Sequence, residues 1–248
     1  DVDGVVYVEQ KEDTLYWDSS VSGVNIESLL RLNDPIDEIQ SAITKDSFMK
    51  ESISFASGLR VVNDPFYPCL ISFLCSVWSN IPKIHRMVRL IRKNYGSKHD
   101  FHGKEFNGMP NPEELSKASV KDLRKLGLGW RADFVVQSTD AILNNAIILE
   151  RLTELTYDEA KGKLMNLHGV GNKVADCVLL FSLGFLEAFP IDVWIERVIQ
   201  QKYGLFTTAG KSYVKKSRAA RDYFGRYAGY AQQYLYHYSR STFDRKQC

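Results

Sequence analysis

The stretch from Leu164 to Asp192 decides the fold, and its sequence is LMNLHGVGNKVADCVLLFSLGFLEAFPID. An apolar start leads into Gly-Val-Gly at 169–171, and residues 172–181 then place apolar side chains at helical spacing. Glycine permits backbone conformations and close approaches that a Cβ would prevent. The start of a helix also carries unpaired N–H groups and a partial positive charge, which suit a phosphate. Gly-Val-Gly alone leaves two interpretations open, an ordinary helical corner and a backbone phosphate site.

Two charged side chains in this stretch point to chemistry. Lys173 begins the apolar helical run, and Asp192 follows Pro190 at the start of the next one, Val193 to Arg197. A lysine in a partly apolar site has its ammonium form disfavoured, and a neutral lysine is a nucleophile. Asp192 is placed to cap the next helix, worth about 1 kcal/mol, or to orient the amine and stabilise a developing cation. Taken singly, each residue favours the simpler interpretation, a lysine that reaches solvent and an aspartate that only caps.

Together these residues resemble a known family. LHGVGNKVADC at 167–177 and PIDV at 190–193 are similar to the helix-hairpin-helix and catalytic aspartate of the DNA glycosylase superfamily. KVADC at 173–177 is similar to the 8-oxoguanine DNA glycosylase branch in particular, and the resemblance extends over about residues 55–248. It implies a mostly α (α+β) fold with a small N-terminal antiparallel β remnant. It also implies a bifunctional enzyme that excises a base and then cuts the strand as a lyase.

Length and composition agree with such a protein. The chain has 248 residues, 44% hydrophobic and 25% charged, enough for a sizeable core. We expect a partial β-sheet region at 1–22 and a helical core at 23–248, with two interlocked subdomains and the hairpin at about 156–185. No apolar run of about 18 residues and no secretory signal is present, so we expect no membrane span. Because the first residue is Asp1, we expect a further segment upstream.

The cysteines indicate reduced thiols. The chain has neither a C-x-x-C motif nor a zinc-ligand pattern. The four residues are Cys69, Cys75, Cys177 and Cys248. The branch similar to endonuclease III carries a C-terminal loop of four cysteines that binds an iron–sulfur cluster. This chain lacks that loop, so we expect no cluster.

The charge is unevenly distributed. The formal net charge is +2, but residues 1–60 carry −7 and residues 201–248 carry +8. Residues 83–98 hold six basic side chains and no acidic one. Such asymmetry favours a basic face for a polyanion, and a solvated basic surface is the alternative that charge alone leaves open.

Local patterns predict the remaining elements. A β-hairpin is expected over Gly4–Trp17, and short helices are expected within residues 25–57. The polar, glycine-containing segment Gly96–Pro112 predicts a loop. Helices are expected over Arg131–Leu149 and, as the first helix of the hairpin, over Thr156–Leu167.

The resemblance assigns the DNA contacts. Segment 77–84 would fill the gap left by an extruded nucleotide; Asn80 fits this role, whereas Trp78 replaces a polar residue. Lys83 stands where an arginine would face the orphaned cytosine. A lysine cannot form the planar fork of arginine, which is worth roughly 1–3 kcal/mol of base discrimination, so we expect a relaxed opposite-base preference. Trp130 would wedge into the duplex, next to Arg131 at the orphaned base. The implied DNA-binding residues are Asn80, Lys83, Trp130, Arg131, His168, Gly169, Val170, Gly171 and Trp194.

The resemblance also assigns a pocket and a mechanism. Gln232 would hydrogen-bond the Watson–Crick edge of the flipped purine, and Tyr236, one helical turn later, would cover its face. Cys177 would close the pocket from below. Lys173 would attack C1′ with help from Asp192, giving a Schiff base that permits β-elimination. Taken alone, Gln232 favours a surface amide and Tyr236 favours a packed ring.

The resemblance implies no cofactor and no metal ion, with an alkali cation at the hairpin backbone left open. The implied partner is double-stranded DNA containing 8-oxoguanine or abasic sites, bound by a monomer away from any membrane. We expect a cytoplasmic protein, nucleoid-associated in a prokaryote, or a nuclear one in a eukaryote. Two alternatives remain: a glycosylase for another oxidised or mismatched base, and a non-catalytic helix-hairpin-helix DNA-binding module.

Overall fold

A computed structural model describes residues 4–207 and 210–243, so Cys248 lies outside the described residues. Up to the middle of the chain, the elements are β1 (Val6–Lys11), β2 (Thr14–Ser19), α1 (Ile26–Leu29), α2 (Ile36–Ile43), α3 (Ser47–Phe55), α4 (Phe66–Ser76), α5 (Ile81–Tyr95), β3 (Lys98–Phe101), β4 (Lys104–Asn107), α6 (Pro112–Leu115), α7 (Val120–Lys125) and α8 (Arg131–Leu143). The rest are α9 (Leu149–Leu152), α10 (Tyr157–Leu164), α11 (Asn172–Phe181), α12 (Val193–Lys202), α13 (Gly204–Thr207), α14 (Tyr213–Phe224) and α15 (Ala228–Thr242), with a 3₁₀ turn at Gly225–Tyr227 before α15. Within the described ranges, every helix is too short or too polar to cross a membrane.

The chain forms two compact units. Of the described residues, unit 1 comprises 4–26, 64–149 and 166–169, and unit 2 comprises 27–63, 150–165, 170–207 and 210–243. The core of unit 1 is built by the apolar faces of α4, α5, α7 and α8, and includes Leu70, Leu74, Met87, Ile91, Leu123 and Val135. The core of unit 2 is built by α2, α3, α11, α12, α14 and α15, and includes Ile39, Met49, Val178, Ile199, Phe224 and Tyr230. The fold is therefore mostly helical, as the resemblance implied.

The N-terminal hairpin forms where the sequence predicted it. β1 and β2 are antiparallel, from the pair Val6–Ser19 to the pair Lys11–Thr14. The turn between them contains Glu12 with a φ of 52°, a left-handed conformation typical of tight hairpins.

The predicted loop over Gly96–Pro112 is wrong, because β3 and β4 form a second antiparallel pair there. Its turn is His102-Gly103, with φ values of 51° and 70°. Two consecutive left-handed residues match the twist of paired strands. An exposed ion pair of 3.1 Å between Lys98 and Glu105 joins the strands. The many charged residues hid this hairpin, since neither face of it is an apolar stripe.

The predicted helix over Arg131–Leu149 is wrong at its end. α8 stops at Leu143, and Asn145 follows with a φ of 54°, a left-handed conformation that commonly ends helices. Leu149 then begins the separate short helix α9. The first hairpin helix, α10, starts as predicted, because Thr156 and Glu159 form a capping box there; it ends three residues early, at Leu164.

The two glycines before α11 have different roles. Gly169 has a φ of +85°, and a Cβ there would lie 2.2 Å from Cγ of Phe134. The fold of unit 1 therefore requires glycine at this position. Gly171, the N-cap of α11, has an ordinary φ of −90°, and a Cβ there would meet open space. Its missing side chain leaves the start of α11 uncovered.

We predict that Gly169→Ala lowers the free energy of unfolding by about 2–5 kcal/mol, combining overpacking against Phe134 with a left-handed alanine. Gly162→Ala is the matched control, because Gly162 is exposed within α10 and a Cβ there meets no neighbour. This control should raise stability by about 0.5–1 kcal/mol. Urea unfolding of both variants measures the two effects, and a stable Gly169→Ala protein would contradict the packing described here.

Candidate active site and DNA-contact residues

Lys173 and Asp192 come from the starts of two helices in unit 2. Lys173 is the second residue of α11 and is half-buried. Asp192 is the N-cap of α12, where its Oδ1 accepts the N–H groups of Trp194 at 3.0 Å and Ile195 at 2.9 Å. The predicted capping role is confirmed. The cap also fixes the orientation of the carboxylate.

The charges of Lys173 and Asp192 interact. Burial raises the pKa of Asp192 above its usual value, while the Ile195 N–H, the Lys173 charge and the Trp194 N–H lower it in part. The same lysine lowers the pKa of Cys177, although burial dominates and raises that pKa to about 12. Lys173 therefore lies within electrostatic reach of both side chains. Cys177 is buried as a neutral thiol one helical turn after the lysine.

Helix α15 contributes the remaining predicted pocket residues. Burial and then the Asp192 charge raise the pKa of Tyr236, with a smaller contribution from Cys177, so this half-buried ring lies beside the aspartate. Gln232 is only 3% exposed, one turn earlier on the same helix, and its side-chain oxygen accepts a hydrogen bond from Gln233. The structure thus brings together Lys173, Cys177, Asp192 and Tyr236. Gln232 lies one turn before Tyr236 on α15.

α15 packs closely against the end of α11 because residue 229 is glycine. The N–H of Gly229 donates to the carbonyl of Leu186 at 2.7 Å. A Cβ at Gly229 would lie 2.8 Å from that carbonyl oxygen and 2.3 Å from the Leu180 side chain. Because the backbone carbonyl cannot easily move aside, any larger residue would push α15 away from the end of α11.

A buried polar cluster beside these residues was missed at the sequence level. Asp176 is fully buried, and its Oδ1 accepts the hydroxyl of Tyr157 at 2.5 Å and pairs with Nζ of Lys161 at 2.9 Å. Its Oδ2 accepts the hydroxyl of Tyr213 at 2.7 Å, and that hydroxyl accepts the backbone N–H of Ile191 at 3.1 Å. A signal was present, since an aspartate inside the apolar run of α11 needs buried partners.

In unit 1, Asn80 and Lys83 lie at the start of α5. The side chain of Asn80 caps this helix by accepting the N–H of Lys83 at 3.0 Å. Lys83 is exposed, and so are the other basic residues of α5, namely Arg86, Arg89, Arg92 and Lys93. α5 therefore presents the basic surface that its sequence suggested.

Arg131 is buried against the backbone of the loop that precedes α5. It is 3% exposed, and its guanidinium donates to the carbonyls of Val77 and Trp78, both at 2.6 Å, and of Leu128 at 3.4 Å. It also lies over the ring of Trp130, 4.4 Å from the ring centroid. The guanidinium thus holds the backbone of residues 77–78. Contact of Arg131 with an orphaned base stays a prediction.

Trp78 lies in the loop of residues 77–80 between α4 and α5, and its side chain is exposed to solvent. Trp78 is 91% exposed and has a φ of 49°, a conformation uncommon for a bulky residue. The two carbonyls bonded by Arg131 flank this strained residue. Such strain persists where the surroundings impose it, which is common at functional sites.

The other predicted DNA-contact residues divide between the two units. In unit 1, Trp130 is half-exposed and packs edge-to-face on Phe134, and His168 packs on the same ring while its Nε2 lies 3.1 Å from Asp133. In unit 2, Val170 is buried, and Trp194 is half-buried with Arg197 over its ring. In the described part of the chain, no group of three or more His, Cys, Asp or Glu side chains is placed to hold a metal ion.

Comparison with known proteins gives a consistent set of relatives. The chain is 31% identical over 240 residues to a protein of Methanothermobacter thermautotrophicus named "Probable N-glycosylase/DNA lyase", covering 88% of this chain and 74% of the relative. It is 34% identical over 203 residues to N-glycosylase/DNA lyase OGG1 of Arabidopsis thaliana, covering 77% and 55%. The Clostridium acetobutylicum 8-oxoguanine glycosylase/lyase, solved with DNA containing cytosine opposite 8-oxoG, superposes with a TM-score of 0.87 at 28% identity, covering 95% and 81%. No family model matches the chain.

We predict that Asp192→Asn leaves the free energy of unfolding at pH 7 equal or higher. Asparagine caps a helix as well as aspartate does, and the variant removes a charge that burial disfavours. Because the pKa of Asp192 is raised in the folded state, this residue stabilises the wild type most below pH 3.8, where it is protonated in both states. As the pH rises from 3.8 through the raised pKa, the wild type loses this stabilisation, and the free energy of unfolding of Asp192→Asn should increasingly exceed that of the wild type.

Lys173→Met is the companion variant for this measurement. It removes the positive charge that partly offsets the burial of Asp192. Its stability at pH 7 should therefore fall relative to the wild type, and the difference should shrink toward pH 3. Urea unfolding between pH 3 and pH 8 follows both variants. A loss of stability in Asp192→Asn at pH 7 would show that pairing with Lys173 outweighs burial.

Proposed function

The chain belongs to the N-glycosylase/DNA lyase family, and from that membership we propose that it excises 8-oxoguanine from duplex DNA and cleaves the strand at the resulting site. One observation carries the proposal: Lys173 and Asp192 interact electrostatically beside Cys177 and Tyr236. A non-catalytic DNA-binding module has no need to bury an aspartate beside a lysine.

In the first step the neutral amine of Lys173 attacks C1′ of the damaged nucleotide. A bond forms between Nζ and C1′, the bond from C1′ to the base breaks, and the base leaves with the electron pair. Asp192 stabilises the positive charge that develops on the sugar, and its raised pKa makes it a better proton acceptor than an exposed aspartate. The helix cap holds the carboxylate in one orientation for this role.

In the second step the sugar opens to a Schiff base between C1′ and Lys173. The cationic imine acidifies the C2′ hydrogen, so that a base removes the proton and the 3′ phosphate leaves with the electrons of its C–O bond. This β-elimination cuts the strand, and hydrolysis of the imine then releases Lys173. Each step uses side chains and water alone.

Recognition of the base is assigned to α15. Gln232 offers an amide with both donor and acceptor atoms to the edge of a flipped purine, and Tyr236 offers a ring to its face. Cys177 supplies a small neutral wall, since burial keeps its thiol protonated. Flipping costs a few kcal/mol of stacking, which these contacts offset.

In unit 1, α5 and Trp78 are assigned to the DNA duplex. The exposed basic residues of α5 contact phosphates. Trp78 stacks in the space that the flipped nucleotide leaves, because it is a nearly fully exposed ring on a loop held rigid by Arg131. An indole stacks on any base.

We propose that the protein acts in the compartment that holds the DNA of the cell.

Borohydride trapping on duplex DNA containing 8-oxoguanine tests the proposed chemistry. The wild type should give a covalent protein–DNA product, because borohydride reduces the Schiff base, and Lys173→Gln should give none. Lys163→Gln is the control, because Lys163 is an exposed lysine of α10, and it should crosslink like the wild type. Crosslinking by Lys173→Gln would overturn the assignment of the nucleophile. If the wild type fails to crosslink, the proposed function itself is wrong.

We predict that Lys83→Arg raises the preference for cytosine opposite the lesion by about 5- to 150-fold, the equivalent of roughly 1–3 kcal/mol for a bidentate arginine contact. The wild type should excise 8-oxoguanine at similar rates opposite all four bases. Single-turnover excision from the four duplexes measures the preference, with Lys93→Arg on the same helix as control. A strong cytosine preference in the wild type would contradict the expectation.

A further inference from the structure

Lys173 and Asp192 must keep a fixed separation although they belong to different elements. Lys173 lies in the first turn of α11, and Asp192 begins α12. Between the two helices, residues 182–191 are an irregular connection. The helices alone therefore do not set the distance between amine and carboxylate. Something must hold the end of that connection against α11.

The polar cluster around Asp176 provides this link. Asp176 lies on α11 one turn after Lys173, and its Oδ2 accepts the hydroxyl of Tyr213 at 2.7 Å. The same hydroxyl accepts the N–H of Ile191, the residue just before Asp192, at 3.1 Å. Two hydrogen bonds through the Tyr213 hydroxyl thus join α11 to the backbone of Ile191, next to Asp192.

Helix α14 supplies a second bond to the same connection. Ser217 lies one turn after Tyr213, and its hydroxyl donates to the carbonyl of Phe189 at 3.1 Å. Ser217 is buried, as are Phe189 and Ile191. α14 therefore holds the connection at two points, residues 189 and 191.

We propose that Tyr213 is a positioning residue of the active site: its hydroxyl, anchored by Asp176, fixes the backbone at Ile191 and thereby sets Asp192 against Lys173. This proposal rests on the proposed function. The hydroxyl keeps its proton, because burial and then Asp176 raise the pKa of Tyr213 well above its usual value. It can therefore donate to Asp176 and accept from Ile191 at the same time.

The cluster contains an internal control in Tyr157. Both tyrosines donate to Asp176, but only Tyr213 is also bonded to the segment before Asp192. The Tyr157 hydroxyl also accepts a hydrogen bond from Nζ of Lys161 at 3.1 Å and interacts with the side chain of Ser217, but it has no bond to the backbone of Ile191. Loss of either hydroxyl removes one buried hydrogen bond to the same carboxylate, whereas only the loss at Tyr213 releases the backbone of Ile191.

The test compares Tyr213→Phe with Tyr157→Phe. Single-turnover excision, the dissociation constant for lesion DNA and urea unfolding are measured for both. Both variants should lose stability, because each removes a buried hydrogen bond. Tyr213→Phe should also lower the excision rate of bound enzyme by about 10- to 100-fold, the order of effect of a small misplacement of a catalytic group, with DNA affinity within about threefold. Tyr157→Phe should keep its rate within about threefold.

The pH–rate profile gives a readout that a purely structural role would not move. Displacement of Asp192 changes its distance from Lys173 and so shifts the acidic limb in Tyr213→Phe but not in Tyr157→Phe. Ser217→Ala, which removes the bond to Phe189 and the contact with Tyr157, should show a smaller change in the same direction. Equal rates and profiles for the two tyrosine variants overturn the positioning role. A wild type that excises nothing overturns the proposed function instead, so the two failures are distinguishable.

Discussion

The packing of unit 2 brings Lys173 and Asp192 within electrostatic reach of each other, and this constraint orders the elements around them. The two residues come from the first turn of α11 and the N-cap of α12, so both helix starts must converge. Gly229 lets α15 reach the end of α11, and Tyr213 holds the connection before Asp192. These two contacts position α15 and the connection before Asp192. Together they set the geometry of the lysine–aspartate pair.

The two buried carboxylates of this region, Asp176 and Asp192, have different surroundings. Asp176 is completely buried, but Lys161 and two tyrosine hydroxyls satisfy it. Apolar residues can often replace a buried ion pair without loss of stability; the geometric role that we propose for this one comes from its bond to Tyr213, which also binds the backbone of Ile191. Asp192 instead accepts backbone N–H groups and lies near the Lys173 charge, and burial still raises its pKa. The first carboxylate is held as a structural anchor, whereas the raised pKa of the second agrees with the proton-transfer role that we propose for it.

The resemblance predicted that Lys173, Cys177 and Asp192 lie together, and in the structure the three side chains interact electrostatically. Their roles in catalysis stay predictions, whereas parts of the local structure around them were predicted wrongly. The hairpin at residues 98–107 was missed, since its register comes from a left-handed His102-Gly103 turn and not from an apolar stripe. The role of Asp176 was missed although the residue was visible in the motif, because its partner Tyr213 is 37 positions away. Contacts of that kind depend on tertiary packing and leave no local pattern.

The relaxed opposite-base preference that we predict rests on more residues than Lys83. Asn80 uses its side-chain oxygen to cap α5, and Arg131 is buried against the carbonyls of Val77 and Trp78. Lys83 remains exposed, but it is a compact charge without a planar fork. The contact with DNA that we propose for this loop is the exposed indole of Trp78, whose faces interact by stacking. Stacking depends little on base identity. The structure of this loop therefore agrees with the weak discrimination that we predict, and Lys83, at the start of α5, is the position where an arginine would add a directional contact.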